Sequence, residues 1–149
     1  MGSLRVTVLC VLLAIGEADL GDPRDSLVAR ARALREKGIP MIASNLRCDE
    51  SSQALCDALW TAADGIPTIN GVAILSFVEP AALRRVGPAS RRGLRLMPLE
   101  ASITTLVRAA RERGAETVIA IIDSGRGAAA IARASAAMQA IPATERPDI

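Results

Sequence analysis

The chain of 149 residues contains no histidine and no tyrosine, and Lys37 is its single lysine. The lack of histidine excludes Ser-His-Asp and Cys-His catalysis and histidine-ligated zinc. Trp60 and Phe77 are the only aromatic residues. This argues against a protein that binds single-stranded nucleic acid by stacking bases on aromatic rings. The composition therefore predicts no catalytic residue, no metal site and no cofactor, and it favours a non-enzymatic role.

Aliphatic residues dominate what is present. Half of the residues are hydrophobic and 23% are charged, a balance typical of a folded globular domain. A chain of this length suits one domain with one core. We therefore predict a single α/β domain over residues 1–142, followed by a frayed tail over residues 143–149.

The three cysteines do not have the spacing of metal ligands. Cys10 lies in an apolar run and Cys56 in an amphipathic segment, while Cys48 lies beside Arg47, which could lower the pKa of its thiol. This usage predicts reduced thiols and a cytoplasmic location.

The N-terminus allows two interpretations. Arg5 precedes the apolar run 6–15, and small residues follow it, which is the outline of a secretory signal peptide. The same run is typical of a buried strand, and it is too short to span a bilayer. We favour a first strand at Val6–Ala14, because a capped helix follows it directly. Under the signal-peptide alternative, Cys48 and Cys56 would be left to form a disulfide.

Apolar segments alternate with amphipathic segments along the chain. Predicted strands cover residues 6–14, 39–44, 72–78, 94–99 and 117–122, and predicted helices cover residues 23–37, 51–65, 102–114 and 128–140. Asn70-Gly71 could close a tight hairpin or lie in a loop that leads into the strand at Val72. This order predicts a three-layer, Rossmann-like α/β fold. Its sheet has about five strands, mostly parallel or mixed, with helices on both faces.

Polar side chains follow the predicted strands at their carboxyl ends, where open α/β sheets bind ligands. Glu17 follows the first strand, Arg47 and Asp49 follow the second, and Asp123 and Arg126 follow the last. Because neighbouring parallel strands end at one edge, Glu17 and Arg47 are expected on a common rim, with Arg47 able to donate to a phosphate. The acids also have a simpler interpretation as helix caps or exposed loop residues.

A basic stretch without acids connects the third and fourth predicted strands. Its arginines are Arg84, Arg85, Arg91, Arg92 and Arg95. They could form a patch that contacts phosphate groups. The alternative, which the arginine-rich composition somewhat favours, is a solvated loop.

Several short segments resemble the anticodon-binding domain of class II aminoacyl-tRNA synthetases, in the group that serves histidine, proline, threonine and glycine. These segments are residues 11–17, 34–39, 46–51, 63–67 and 96–100, within the span Leu4–Arg113. The resemblance implies a cytoplasmic module that binds tRNA or another RNA without catalysis of its own, with roles for Glu17 and Arg47. Residues 117–140 are an addition to that pattern, and the sequence contains no catalytic synthetase domain, so the chain would be a fragment or a paralogue.

Two alternatives stay open. Residues 22–23, 37–40 and 65–68 also resemble the CoA-ligase domain of ADP-forming acyl-CoA synthetases, although the phosphorylated histidine of that superfamily is absent. That resemblance implies a nucleotide- or CoA-binding, flavodoxin-like subunit. The Ala-rich segment 128–140 would instead suit a non-catalytic assembly subunit that forms homo-oligomers. The partner expected in the first two cases is tRNA or another phosphate-bearing ligand, and none of the three involves a membrane.

Overall fold

A computed structural model of the chain describes residues 12–125 and 127–149. Its strands are β1 (Leu13–Ala14), β2 (Met41–Ala43), β3 (Leu46–Cys48), β4 (Trp60–Thr61), β5 (Thr68–Ile69), β6 (Val72–Val78), β7 (Leu94–Leu96) and β8 (Thr117–Asp123). Its α-helices are α1 (Glu17–Gly21), α2 (Arg24–Glu36), α3 (Gln53–Ala58), α4 (Pro88–Arg91), α5 (Leu99–Glu112) and α6 (Ala128–Ala140). Short 3-10 helices cover Glu50–Ser52, Ala62–Asp64, Pro80–Arg85 and Ala143–Glu145.

The strands form three small sheets. β2 lies between β1 and β4, and all three are parallel. β6 lies between β5, which is antiparallel to it, and β8, which is parallel to it along seven residues. β3 and β7 form a separate antiparallel pair. The backbone N–H of Ser44, directly after β2, donates to the carbonyl oxygen of Ser76 in β6 at 2.7 Å, so the two larger sheets are joined.

The apolar periodicity of the sequence accounts for the long helices. On α5, Leu99, Ile103, Val107 and Ala110 recur at helical spacing, and all four are buried. These residues belong to one core with Phe77 and the inner faces of β6 and β8. A second core forms between α2, α3 and the β1–β2–β4 sheet. The molecule therefore has two apolar cores on either side of the junction between its sheets.

The predicted α/β class is confirmed, with mostly parallel strand pairs and amphipathic helices. α6 covers the predicted residues 128–140, and the Asn70-Gly71 hairpin forms between β5 and β6. The strands differ from the prediction in being shorter, more numerous and divided among three sheets. Of the predicted first strand, Leu13 and Ala14 pair in parallel with β2, and residues 6–11 lie outside the described residues.

Two segments predicted as loops form regular structure instead. Leu46–Cys48, within the predicted loop 45–50, is strand β3, because it pairs with the distant segment Leu94–Leu96. Glu17–Gly21, predicted as an exposed turn, is helix α1, and the Asp19 carboxylate accepts from the N–H of Gly16 at its start. The pattern of apolar residues does not reveal either structure, because β3 depends on hydrogen bonds to β7 and α1 begins with the hydrogen bond between Gly16 and Asp19.

The last residues make specific contacts with β8. The Asp148 carboxylate accepts from the N–H of Val118 at 2.7 Å and from Arg111 at 3.1 Å. Arg146 donates to the carbonyl oxygens of Ile141 and Gln139. The segment predicted to fray is thus held against the sheet. Across residues 12–125 and 127–149, no helix combines the length and apolar character needed to cross a membrane.

Candidate functional site

Glu17, Arg85 and Asp123 meet at the carboxyl ends of β1, β6 and β8. Arg85 Nε donates to both carboxylate oxygens of Glu17 at 3.0 Å, and its Nη2 lies 2.5 Å from Glu17 Oε2. Asp123 Oδ2 accepts from the N–H of Glu17 at 2.6 Å, and Asp123 Oδ1 accepts from the N–H of Gly125 at 2.7 Å. The hydrogen bonds to Glu17 raise the pKa of Arg85. Three of the predicted site residues therefore do converge.

Two glycines allow this convergence. A Cβ on Gly16 would overlap the Asp123 carboxylate, and a Cβ on Gly125 would overlap the Arg85 guanidinium. Beside them, Glu79 is 8% exposed, and its Oε2 lies 3.5 Å from Arg133 Nη2. Glu17 thus contacts Arg85, and Glu79 contacts Arg133, among the described residues at this edge.

Arg47 and Arg95 form a different arrangement on the β3–β7 pair. They lie directly opposite each other in the antiparallel register, which places both side chains on one face. Both are exposed, and neither forms an ion pair with any residue in the described parts of the chain. Arg47 donates only a long 3.4 Å contact to the carbonyl oxygen of Leu46. Two arginines without an ion-pair partner among the described residues therefore share one face of this strand pair.

These two arginines line one cavity. Its other lining residues are Cys48, Asp49, Gly93, Leu94 and Met97. Arg47 also borders two adjoining cavities, one beside the start of α5 and one beside α3. The cavity therefore offers an anion cationic donors from two strands, and it adjoins a more apolar cavity near Met97.

Asp49 lies in the same cavity, and one oxygen of its carboxylate accepts two hydrogen bonds. Its Oδ1 accepts from the N–H and the hydroxyl of Ser51 at 2.9 and 2.6 Å, which caps the 3-10 helix Glu50–Ser52. Gly93 has φ +70°, and the side chains of Asp49, Ser51 and Ser52 approach it so closely that a Cβ would not fit. Asp49 therefore orders the turn that follows β3 beside Gly93, and it places a carboxylate in the same cavity as the two arginines.

A disulfide between Cys48 and Cys56 ties the end of β3 to α3. The prediction of reduced thiols is wrong for this pair. The residues pair because β3 and α3 pack together, bringing their Cα atoms within 6.0 Å. The bond adjoins Arg47, so it fixes the strand that carries the cationic pair.

Three further predicted arginines, Arg84, Arg91 and Arg92, join neither cluster. Arg84, Arg91 and Arg92 are exposed, and the carbonyl oxygen of Arg92 accepts from Arg24 at 3.1 Å and from Ser52 Oγ at 2.7 Å. Arg126 lies outside the described residues. The expectation that Glu17 and Arg47 share a rim is not met, because Glu17 pairs with Arg85 whereas Arg47 lines the β3–β7 cavity.

The sequence reasoning did not place Arg95 beside Arg47, and it missed Glu79 and Arg133 as site residues. Arg95 carried a usable signal, since Leu94-Arg95-Leu96 and Leu46-Arg47-Cys48 both alternate apolar and charged residues. Pairing these two short strands would have predicted the facing arginines. Among the residues that the structure describes, no group of three or more carboxylate, thiol or imidazole side chains is arranged to hold a metal ion.

Comparison with known proteins gives structural neighbours only. No family model matches the chain, and no curated protein matches it by sequence. The NAD nucleotidase of Haemophilus influenzae matches with a TM-score of 0.61 at 16% identity, over 85% of this chain and 23% of that one. A 5'-nucleotidase precursor from Thermus thermophilus matches with a TM-score of 0.58 at 14% identity, over 75% of this chain and 21% of that one.

These neighbours overturn the predicted function. They are nucleotidases, so the prediction of a tRNA- or RNA-binding module is wrong. Neither is named as an acyl-CoA synthetase or as an assembly subunit, so the neighbours support neither of these two alternatives. Sequence segments of five to seven residues misled because α/β units of unrelated function share the same turn and cap residues. The chain spans less than a quarter of either neighbour and shares its fold with that part of two nucleotidases.

Proposed function

We propose that this unit binds a small phosphate-bearing molecule of the nucleotide class between Arg47 and Arg95. The observation that carries the proposal is that Arg47 and Arg95 lie opposite each other on neighbouring strands and that neither forms an ion pair with a described residue. Like charges directly opposite on neighbouring strands destabilise a sheet by roughly 0.2–1 kcal/mol. An anion between them converts this repulsion into attraction, and the planar guanidinium donors match phosphate oxygens.

Two further observations support a nucleotide rather than a larger polyanion. The cationic cavity is confined to a few residues of β3 and β7, which suits one phosphate group rather than an extended backbone. The two solved neighbours carry names that concern nucleotides. The cavity lining includes no nucleophile paired with a base, because Cys48 is bonded to Cys56. We therefore propose binding without hydrolysis at this position.

Calorimetric titration tests the site. Adenosine monophosphate and inorganic phosphate should bind, and adenosine should not. Arg47→Gln and Arg95→Gln should each weaken phosphate binding about tenfold or more, because a charge-assisted hydrogen bond contributes roughly 1.5–3 kcal/mol. Arg32→Gln is the matched control, since Arg32 is an exposed arginine on α2 outside this cavity. Absence of phosphate binding, or equal binding by all variants, would refute the proposal.

The ligand-free variants give a second readout. Arg47→Gln removes one of two facing like charges, so its unfolding free energy should equal or exceed that of the parent by up to about 1 kcal/mol. Urea denaturation without phosphate measures this difference. A clear loss of stability would mean that Arg47 has a structural partner and would contradict the proposed anion site.

The cellular compartment is a separate proposal. The cytoplasmic location predicted from the cysteine pattern rested on reduced thiols, whereas Cys48 and Cys56 are bonded. Disulfides persist mainly in oxidising compartments. We therefore propose that the protein works in an oxidising environment. Thiol labelling of protein recovered from its native source tests this: Cys48 and Cys56 should be unreactive until a dithiol is added.

A further inference from the structure

A second cavity, here called the α5 cavity, adjoins the cationic cavity of Arg47 and Arg95 at the start of α5. Arg47 and Met97 line both cavities, so the two meet at these side chains. The volume of the α5 cavity is about 190 Å³. Sites that enclose a whole drug-sized ligand have roughly 300–1,000 Å³. The α5 cavity therefore suits one part of a ligand whose remainder lies in the cationic cavity.

Five apolar residues line the α5 cavity. They are Ala62, Met97, Pro98, Ala101 and Leu106. Met97 is 36% exposed although it is a large apolar residue, and it lies where the two cavities meet. The sulfur of a methionine makes favourable contacts with aromatic rings. A flat ring placed over Met97 would thus remove apolar surface from water and gain a contact with the thioether.

Three hydroxyl groups line the same cavity with hydrogen-bonding capacity to spare. Ser44 is 5% exposed, its Oγ accepts from the N–H of Ser76 at 2.9 Å, and its O–H donates to no residue that the structure describes. The side chains of Ser102 and Thr105, one turn apart on α5, form no hydrogen bond within residues 12–125 and 127–149. Since a hydroxyl can both donate and accept, these groups can bind the polar edge of a ligand.

Asn45 holds the wall between the two cavities in place. Its side chain is 1% exposed and donates from Nδ2 to the carbonyl oxygen of Met97 at 2.9 Å. Its own carbonyl oxygen accepts from the N–H of Met97 at 2.8 Å. The backbone of Met97 is therefore fixed on both sides before any ligand arrives. A preformed wall lowers the entropy that binding must spend on ordering the protein.

We propose that the α5 cavity holds the heterocyclic base of a nucleoside monophosphate, an inference that rests on the phosphate site proposed above between Arg47 and Arg95. A base has two apolar faces and a polar edge, which match the apolar walls and the hydroxyl groups of this cavity. A ribose carries hydroxyl groups around its ring and would leave the apolar walls uncovered. The ribose lies instead where the cavities meet, beside Arg47 and Met97.

Calorimetric titration of the full chain with three ligands measures what the base contributes. The ligands are inorganic phosphate, ribose 5-phosphate and adenosine monophosphate. The last should bind about tenfold more tightly than ribose 5-phosphate, or better, because only its base removes the apolar walls from water. Equal affinities for these two sugar phosphates in the parent chain, with phosphate itself bound, would overturn this inference and leave the phosphate site intact.

Ala101→Leu fills the α5 cavity from the exposed surface of α5 without touching the cationic cavity. It should reduce the affinity for adenosine monophosphate to that for ribose 5-phosphate, with the affinity for inorganic phosphate unchanged. Ala33→Leu is the matched control, since Ala33 is an exposed alanine of α2 outside this cavity. Parental affinity for adenosine monophosphate in Ala101→Leu would place the base elsewhere and overturn the inference.

Thr105→Val removes one hydroxyl with little change of shape and serves as a second variant if Ala101→Leu disturbs the fold. It should weaken binding of adenosine monophosphate by about threefold to tenfold, as expected for one neutral hydrogen bond, and leave ribose 5-phosphate unaffected. Equal weakening of both ligands, or of neither, would contradict a base in this cavity. Absence of phosphate binding in the parent chain would refute the proposed function, and this inference with it.

Discussion

At the scale of single residues, close contacts at two glycines hold the carboxyl edge together. Gly16 has an extended backbone that any residue could adopt, so its requirement for glycine is one of space. The Asp123 carboxylate occupies the volume that a side chain would need. Sequence reasoning placed Glu17 and Asp123 at one edge, because parallel strands end together. The sequence does not show that Gly16 lies against the Asp123 carboxylate, because this contact depends on the detailed packing of the folded chain.

Gly16→Ala should destabilise the protein by about 1–3 kcal/mol, because overpacking displaces the Asp123 carboxylate from the N–H of Glu17. Urea denaturation provides the measurement. Gly21→Ala is the control, since nothing lies within 4 Å of its Cβ position. Adding Asp123→Ala to Gly16→Ala removes the overlap, so the double variant should lose less than the sum of the single losses. Additive losses would show that the two residues are uncoupled.

Asp148 should make the free energy of unfolding depend on pH in the acid range. Its hydrogen bond from the N–H of Val118, followed by that from Arg111, lowers the pKa of the carboxyl below its ordinary value of 3.8. The folded state therefore binds the proton less readily than the unfolded state, and the contribution of Asp148 is present above that value and lost as pH falls through the lowered pKa. Asp148→Asn should show a shallower loss of stability than the parent in denaturation series from neutral pH into that acid range.

At the scale of elements, the sequence predicts the tight turn at Asn70-Gly71, but it does not predict which short strands pair with each other. Asn70 and Gly71 have φ values of 51° and 79°, as a tight hairpin with both central residues left-handed requires. The Asn-Gly dipeptide predicts this locally. β3 has three residues, and its partner β7 is distant in sequence, so no local pattern distinguishes it from a loop. The facing arginines were missed for the same reason.

Gly71→Ala should cost about 1 kcal/mol of stability, because a Cβ is unfavourable in the left-handed region. The nearest neighbour of that Cβ, Glu116, lies at an ordinary 3.5 Å, so the cost comes from the backbone. Gly87→Ala is the matched substitution in open space without a positive φ and should be near neutral. Thermal unfolding of the two variants checks the difference; equal midpoints would contradict the turn assignment.

At the scale of the whole molecule, the sequence predicted the class and the long helices α2, α5 and α6, but it did not predict α1, α4, the short strand β4 within the predicted helix 51–65, or the division into three sheets. Periodicity located α5 and α6 well, because each buries one apolar face. It could not show that Cys48 and Cys56 approach each other, since this depends on β3 packing against α3. Part of the site could be predicted from the sequence. The meeting of Glu17 and Asp123 at one sheet edge follows from the parallel strand order, whereas the pairing of Arg47 with Arg95 depends on two strands that are distant in sequence.

Reduction of the disulfide should act on the molecule in two ways. The bond closes a loop between residues eight apart, and removing it should lower stability by about 2.5 kcal/mol in the chain-entropy treatment. It should also loosen the end of β3 and weaken phosphate binding at Arg47. Titration with and without a dithiol, and of a Cys48→Ala/Cys56→Ala variant, measures both effects. If the phosphate affinity were unchanged after complete reduction, the disulfide would have no role in positioning Arg47.

The division into two cores has a consequence for how the fold comes apart. The buried Asn45 side chain donates to the carbonyl oxygens of Val78 and Met97 and accepts from the N–H of Val78, so it bridges the end of β6 and the start of α5. Together with the hydrogen bond from Ser44 to Ser76, these contacts connect the two apolar cores, so that the cores should unfold cooperatively. Asn45→Ala should therefore weaken the coupling between the two cores and broaden the thermal unfolding transition, which calorimetry measures; a transition as sharp as that of the parent would show that β6, which contributes to both cores, couples them alone.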